Sequence, residues 1–447
     1  MSREYGVSDV VIDLGELPSG GRHRVGRALI ARPPRPSRTV LGAIAIVLAA
    51  MLTGAAHVNP PEPPLIIPAR LGDSTFVVGD RLFVVSAGPE LIGGGVQNKI
   101  VSTYALPAGA LLSLTTVAVT GAIYDVTAVG DTVLVSYQAD SFGAVRTVAL
   151  AAGTDRALWR RPARLLGISP SDGLVLLREK LPQFGPLHWY GIDLVSGDIR
   201  WMLEQPVDGY ITETGYVDGF PRRLVTVNLA GRLEVRDTTT GAVTAATTIE
   251  VPADWAKYGI ALWPDGDLIL AGDHTGATAY AVPDLTERWR APVDLYSSYI
   301  GPGCGDAVCL FSPRDAGIRV LDRATGRDRW TSDRWSYGDQ AGPYLIVGGG
   351  QGTRRSQTLN VVATMTGRVR GDFGPWHGVG PALPDGTVVG LREQPAEDVV
   401  WYARLDPATL RVQVLGAADH VSGDCQTTPD VLVCRRIDAS VGIWQLG

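Results

Sequence analysis

The chain has 447 residues, 40 Lys and Arg against 46 Asp and Glu, a formal charge of −6, 45% hydrophobic residues, 54 Gly and 30 Pro. Residues 1–39 hold seven Arg and four acids, so the remainder is more acidic still, which excludes a nucleic-acid partner held by a basic surface. No run of ten or more residues with helical apolar spacing follows residue 60, and the Gly and Pro content predicts many short strands joined by turns, an all-β chain.

In chain order, the predicted first segment (1–39) is a disordered cytoplasmic tail rich in Arg, Gly and Pro. Within it, Tyr5 to Leu17 (YGVSDVVIDLGEL) mixes acids with Val, Ile and Leu and reads either as a short docking motif or as a chance apolar cluster. Val40 to Val58 then gives nineteen residues without a formal charge. At about 1.5 Å per residue such a helix nearly covers a hydrocarbon core of roughly 30 Å. Arg22, Arg24, Arg27, Arg32, Arg35 and Arg38 crowd its N-terminal side, and none follows immediately on the other side, so the tail is expected inside and the rest outside the cell membrane. Gly54 and Ala56 also form a small-x-small site, and a cleaved signal peptide is the alternative. Residues 59–63 are a Pro-rich linker, and 64–447 is expected to be one repetitive domain.

Two periodicities divide that domain. Turn pairs such as Gly79-Asp80, Gly130-Asp131, Asp218-Gly219, Gly342-Pro343 and Pro429-Asp430 recur between short apolar runs, and there are nine of them. An alternating strand follows each one and ends near a small or acidic residue: Ala105, Ala149, Asp193, Asp237, Ala281, Asp322, Ala363, Asp406 and Gly447, in steps of 41 to 44 residues. A unit of that length with four strands predicts an antiparallel propeller blade. Nine units are counted, and eight or nine blades are expected. The last unit lacks a fourth strand, and Pro64 to Leu71 (PLIIPARL) is expected to supply it from the other end, closing the ring as a clasp.

The clearest copies, YGIDLVSGDIRW (Tyr190 to Trp201) and IRVLDRATGRDRW (Ile318 to Trp330), share an Asp, a Gly four residues on and a Trp eight residues on. This pattern resembles the pyrroloquinoline-quinone-like (PQQ-like) propeller repeat family, over roughly residues 65 to 447. The resemblance implies that Trp159, Trp201, Trp289 and Trp330 pack against the neighbouring blade; units one, four, seven and eight lack the Trp. Enzymes of that family bind a quinone and calcium beside an adjacent cysteine pair. No Cys-Cys dipeptide and no C-x-x-C-H haem site occurs here, so no cofactor is expected.

The four cysteines are predicted to form two disulfides in an oxidising compartment, Cys304 with Cys309 and Cys425 with Cys434, each pair facing across its own hairpin; a metal site is the rival reading. The histidines at 23, 57, 188, 274, 377 and 420 make no ligand pair, and no G-x-S-x-G elbow or Walker loop occurs. Gly88 to Lys99 and the aromatic Tyr296 to Gly303 are candidate contact loops. The expectation is therefore a membrane-anchored, extracytoplasmic, noncatalytic binding or scaffold module for a protein or cell-envelope polymer. The alternative is a PQQ-dependent oxidoreductase with its cofactor in the axial channel.

Overall fold

The computed structural model describes residues 64–90, 96–140, 143–179, 187–301, 304–312, 317–348, 358–394 and 399–447. The Tyr5–Leu17 motif, the Val40–Val58 span and the 59–63 linker lie outside the described residues, among which no helix is long and apolar enough to cross a membrane.

Each repeat contains a strand of consecutive buried apolar residues, for example Leu174-Val175-Leu176-Leu177. Successive side chains of an extended strand point to opposite faces. Leu174 and Leu176 accordingly join a core with Trp189, Ile211 and Phe220, whereas Val175 and Leu177 join another with Trp159 and Leu165. A sheet covered on both faces loses the apolar-polar alternation, which is why these strands read as unbroken apolar runs.

Thirty-six strands, numbered from β1 (Leu65–Ile67) to β36 (Val441–Gln445), form nine four-stranded antiparallel sheets among the described residues. Eight sheets use four consecutive strands. The ninth has the order β1-β36-β35-β34, where β34 is Val421–Thr427 and β35 is Val431–Arg436. Leu65 pairs with Ile443 and Ile67 with Val441, so the segment at the start of the domain supplies the last blade's outer strand, as expected for a clasp. Nine apolar clusters occupy the nine seams between successive blades. The closing one joins Ile67, Val431 and Ile443 of blade nine to Leu82 and Val84 of blade one. The ring therefore closes with nine blades, and the eight-blade option falls.

First strands of neighbouring blades touch one another, as β14 (Gly209–Val217) does β18 (Ala261–Asp265), so they surround the axis and the fourth strands form the outer rim. The third-to-fourth turn explains the repeat signature. Asp193 Oδ1 accepts the Val195 and Ser196 N–H groups at 3.0 and 2.9 Å, an Asx turn, and Gly197 follows at φ 73°. Trp159 of the preceding blade lies over that glycine, where a Cβ would come within 2.4 Å of the ring, and donates its indole N–H to Leu194 O at 2.9 Å. Trp289 over Gly326 and Trp330 over Gly367 repeat the arrangement, with indole bonds to Arg323 O and Thr364 O at 2.8 Å. Trp201 covers Gly241, but its Nε1 turns over Gly191 of its own blade and has no hydrogen-bond partner among the described residues.

Two positions of the sequence count shift. In blade nine Gln445, not Gly447, ends the third strand, because Leu446 N–H bonds Asp430 O as Leu194 N–H bonds Gly173 O. Ala151, not Ala149, holds the place of Asp193, because Ala151 N–H bonds Arg156 O as Asp193 N–H bonds Asp198 O. The even step at Ala149 is a coincidence of alternating small residues. With Ala151 as anchor, Trp159 stands eight residues on, like Trp201.

Seams without a Trp are filled another way. In blade four the Trp position is Ala245, and the facing glycine position is Leu285, at φ 55°, buried in the cluster against which Ala245 packs. In blade seven the Trp position is Gly371, and Leu410, at φ 59°, covers it, with Leu410 Cδ1 2.5 Å from where a Cβ would stand. At the closing seam Leu65 of the clasp takes the Trp's place over Gly109.

Candidate binding face

Antiparallel blades put their connections on two faces. One face holds the first-to-second hairpins and the third-to-fourth turns. Six of those turns have five residues each: 152–156, 194–198, 238–242, 282–286, 323–327 and 364–368. Five of them repeat one backbone, with a left-handed residue fourth in the turn at Gly197, Gly241, Leu285, Gly326 and Gly367, whereas 152–156 has it at Gly153. The opposite face holds the second-to-third and fourth-to-first connections, whose lengths differ widely. The second-to-third connections run from three residues between Asn228 and Arg232 to eleven between Gly348 and Asn360. A partner-specific surface belongs on such a face.

The longest fourth-to-first connection among those of the described residues lies between blades four and five, at 249–260, and contains the helix α1 (Trp255–Tyr258). Trp255 is buried and donates its indole N–H to Gly272 O at 2.7 Å, which pins the helix to blade five. Tyr258 is thereby carried to the surface, 52% exposed. Its ring meets His274 edge-on at 5.3 Å and Tyr296 at 5.9 Å, and the His274 and Tyr296 rings lie 4.6 Å apart. The Tyr296 hydroxyl donates to Gly259 O, tying the third ring to the end of α1.

Carboxylates hold this cluster. His274 Nδ1 lies 3.1 Å from Asp294 Oδ2, and Asp294 also accepts the Tyr296 and Ser297 N–H groups at 2.9 and 3.0 Å and the Ser297 hydroxyl at 2.8 Å. Burial works against the Asp294 anion, but the bonds from His274 and Ser297 outweigh it and hold the carboxyl below the usual range. Burial first, then the Asp254 and Asp273 charges, push the Tyr296 phenol upward. Lys257 Nζ sits 4.6 Å above the Tyr258 ring, a cation already resting on the aromatic surface. A groove of about 580 Å³ adjoins the cluster, lined by Glu250, Pro252, Asp273, Thr275, Tyr280 and Arg290. Aromatic rings framed by carboxylates suit cationic and aromatic side chains.

The predicted residues fall partly here. Of the aromatic loop, Tyr296 joins the cluster, while Tyr299 belongs to β22 (Tyr299–Ile300) and stacks on Phe311 at 5.3 Å. Of the Gly88–Lys99 loop, Gly88 to Glu90 belong to β3 (Arg81–Glu90) and Gln97 to Lys99 to β4 (Gln97–Ala105), and 91–95 lie outside the described residues. Both disulfides are present. Cys425 and Cys434 face each other across β34 and β35, with Cα atoms 4.1 Å apart. Cys304 and Cys309, 6.0 Å apart at Cα, do not face across a ladder; Gly301 N–H bonds Cys309 O and the turn runs from Cys304 to Ala307, so this bridge spans a turn. Tyr258 and His274 escape a reading of the sequence because 16 residues separate them; the long connection before blade five is the available signal.

Two cavities flank β30 (His377–Val379): one of about 220 Å³ toward blade seven with Tyr337, Asp339 and Trp376, and one of about 560 Å³ toward blade nine with Glu393 and Asp424. No group of three or more His, Cys, Asp or Glu able to hold a metal occurs among the described residues.

No protein-family model matches the chain, and no curated protein matches it. Among solved structures it is similar to BamB from Moraxella catarrhalis (16% identity, covering 86% of this chain and 98% of that one, TM-score 0.37). It is also similar to the computationally designed Ika8 protein (15%, 73% and 96%, 0.42) and to the C-terminal WD40 domain of Sif2 (9%, 86% and 99%, 0.41).

Proposed function

We propose that the chain is a membrane-anchored, extracytoplasmic member of the PQQ-like propeller repeats that serves as a noncatalytic binding scaffold for a protein partner. The observation that carries this reading is the aromatic and carboxylate cluster of Tyr258, His274 and Tyr296, set on the face with the longest connections, while the third-to-fourth turns of the opposite face repeat one backbone in five blades. Two disulfides among the described residues favour an oxidising compartment. The uncharged Val40–Val58 run behind a row of arginines favours an anchor with the propeller outside.

The test is co-purification of the tagged full chain after chemical cross-linking in intact cells. A partner captured by the wild type and lost from Tyr258→Ser/Tyr296→Ser, with unchanged thermal unfolding, supports the assignment. Equal capture by both removes this face from the interaction. For topology, protease added to spheroplasts should degrade the propeller and spare the tail, whereas a mature N-terminus near His57 would establish a secreted product.

A further inference from the structure

The outer rim is uneven in a way the binding face does not explain. β5 (Ala110–Val119) is the outer strand of blade one and, at ten residues, the longest of the nine outer strands. No strand pairs with its outer edge, where Thr116 N–H donates to Thr154 O of blade two at 3.2 Å. Leu111, Leu112 and Leu114 on it are 52%, 52% and 53% exposed, and no charged residue occurs between Lys99 and Asp125. Six of the other outer strands carry Arg, Asp or Glu, and β17 (Val243–Thr248) has only Val, Thr and Ala. A long apolar edge without charge is a liability in water unless something covers it.

The patch continues into the clasp. Leu65 packs over Gly109, which directly precedes β5, and both Leu65 and Ile66 are themselves partly exposed. The chain therefore enters the propeller at the corner of its own leucine patch. Between Val58 and Leu65 stand six residues, Asn59 to Pro64, four of them Pro. Six residues of any conformation span at most about 22 Å. Whatever holds Val58 holds the patch close by.

We propose that Leu111, Leu112 and Leu114, with Leu65 and Ile66, rest in the headgroup–acyl boundary of the bilayer, so that the propeller lies on the membrane by the rim of blades one and nine. This rests on Val40–Val58 being a membrane anchor. Leu65 contacts a third-to-fourth turn, so the face of those turns is the one tipped toward lipid and the Tyr258 face is left open.

The test uses the full chain reconstituted in lipid discs, with Leu112→Cys labelled by a solvatochromic dye; both disulfides leave no free thiol among the described residues. Met202→Cys on β13 (Ile199–Glu204) of blade three, 58% exposed, is the control. At position 112, blue-shifted emission and several-fold stronger quenching by spin-labelled acyl chains are expected, with iodide reaching position 202 better. Equal iodide quenching at both sites overturns the proposal, as does a disulfide between the introduced thiols of two unlabelled Leu112→Cys copies without lipid quenching. Alkaline carbonate extraction reads the anchor separately. If the chain is released, the labelled protein is mixed with phosphatidylglycerol and phosphatidylethanolamine vesicles. Lipid quenching then supports the patch without the anchor, and its absence overturns both.

Discussion

Two seams one blade apart solve the same packing problem in opposite ways. Between blades five and six a large residue on the outer strand, Trp289, lies over a glycine in the facing turn, Gly326. Between blades four and five the outer strand offers Ala245 and the turn offers Leu285. The turn keeps its left-handed backbone in both, at φ 67° for Gly326 and 55° for Leu285, although leucine is strained there. The seam thus specifies a filled volume rather than a tryptophan, and Gly371 beneath Leu410 makes the same point again.

The strongest way to break this comparison is to remove the seam that neither solution fills alone. Deleting residues 64–71 takes away both β1 and the Leu65 plug over Gly109, exposing the β36 edge. Loss of cooperative thermal unfolding and appearance of oligomers in size-exclusion chromatography are expected; a monomer with unchanged melting would show that the clasp is dispensable.

Next comes the exchange itself. Gly326→Leu collides with Trp289 and should cost about 3 kcal/mol or more in denaturant titrations. Combined with Trp289→Ala, which reproduces the Ala245–Leu285 arrangement, it should recover roughly 1 kcal/mol or more relative to the sum of the single changes. Strict additivity would mean that the two seams are alike only by accident.

Smaller effects follow from the two bridges and the Asx turn. Cys425→Ser/Cys434→Ser should cost about 2–3 kcal/mol, and the shorter Cys304–Cys309 loop slightly less, measured by chemical unfolding under non-reducing conditions. For Asp193, the Ser196 N–H first and then the Arg200 guanidinium hold the pKa down to about 2. A depressed folded-state pKa gives stability that is present above the unfolded value near 4 and lost as pH falls through about 2. Asp193→Asn should therefore melt lower than wild type at pH 6, with the gap closing between pH 4 and 2. A gap independent of pH would assign the effect to turn geometry.

The ring is legible in the sequence because its cause is local. Each Asp-x-x-x-Gly turn and each apolar run recurs at blade length, and the clasp follows from a missing strand. Cys425 and Cys434 are legible because their ladder is centred on the Pro429-Asp430 turn. For Cys304 and Cys309 equal spacing gives the right pair for an incomplete reason, since the Cys304–Ala307 turn breaks the ladder that such spacing implies. Blades two and nine are each displaced by two residues in the count, because Ala149 and Ala151 look alike without a side chain to mark the turn and Gln445 is neither small nor acidic. The binding face is least legible. Tyr258, His274 and Tyr296 come from three connections whose meeting depends on how adjacent blades are rotated, and no spacing along the chain records that.

The shared ninth blade also orders events during synthesis. Leu65, Ile66 and Ile67 leave the ribosome before the other strands of the propeller but pair with Val441, Gly442 and Ile443, which follow the other eight blades. Until then the first strand has no partner and blade one has an uncovered apolar side, with Leu82 and Val84 in water. A chain that stopped before Val441 would keep that side open to proteases, so burial of Leu82 and Val84 waits for the ninth blade.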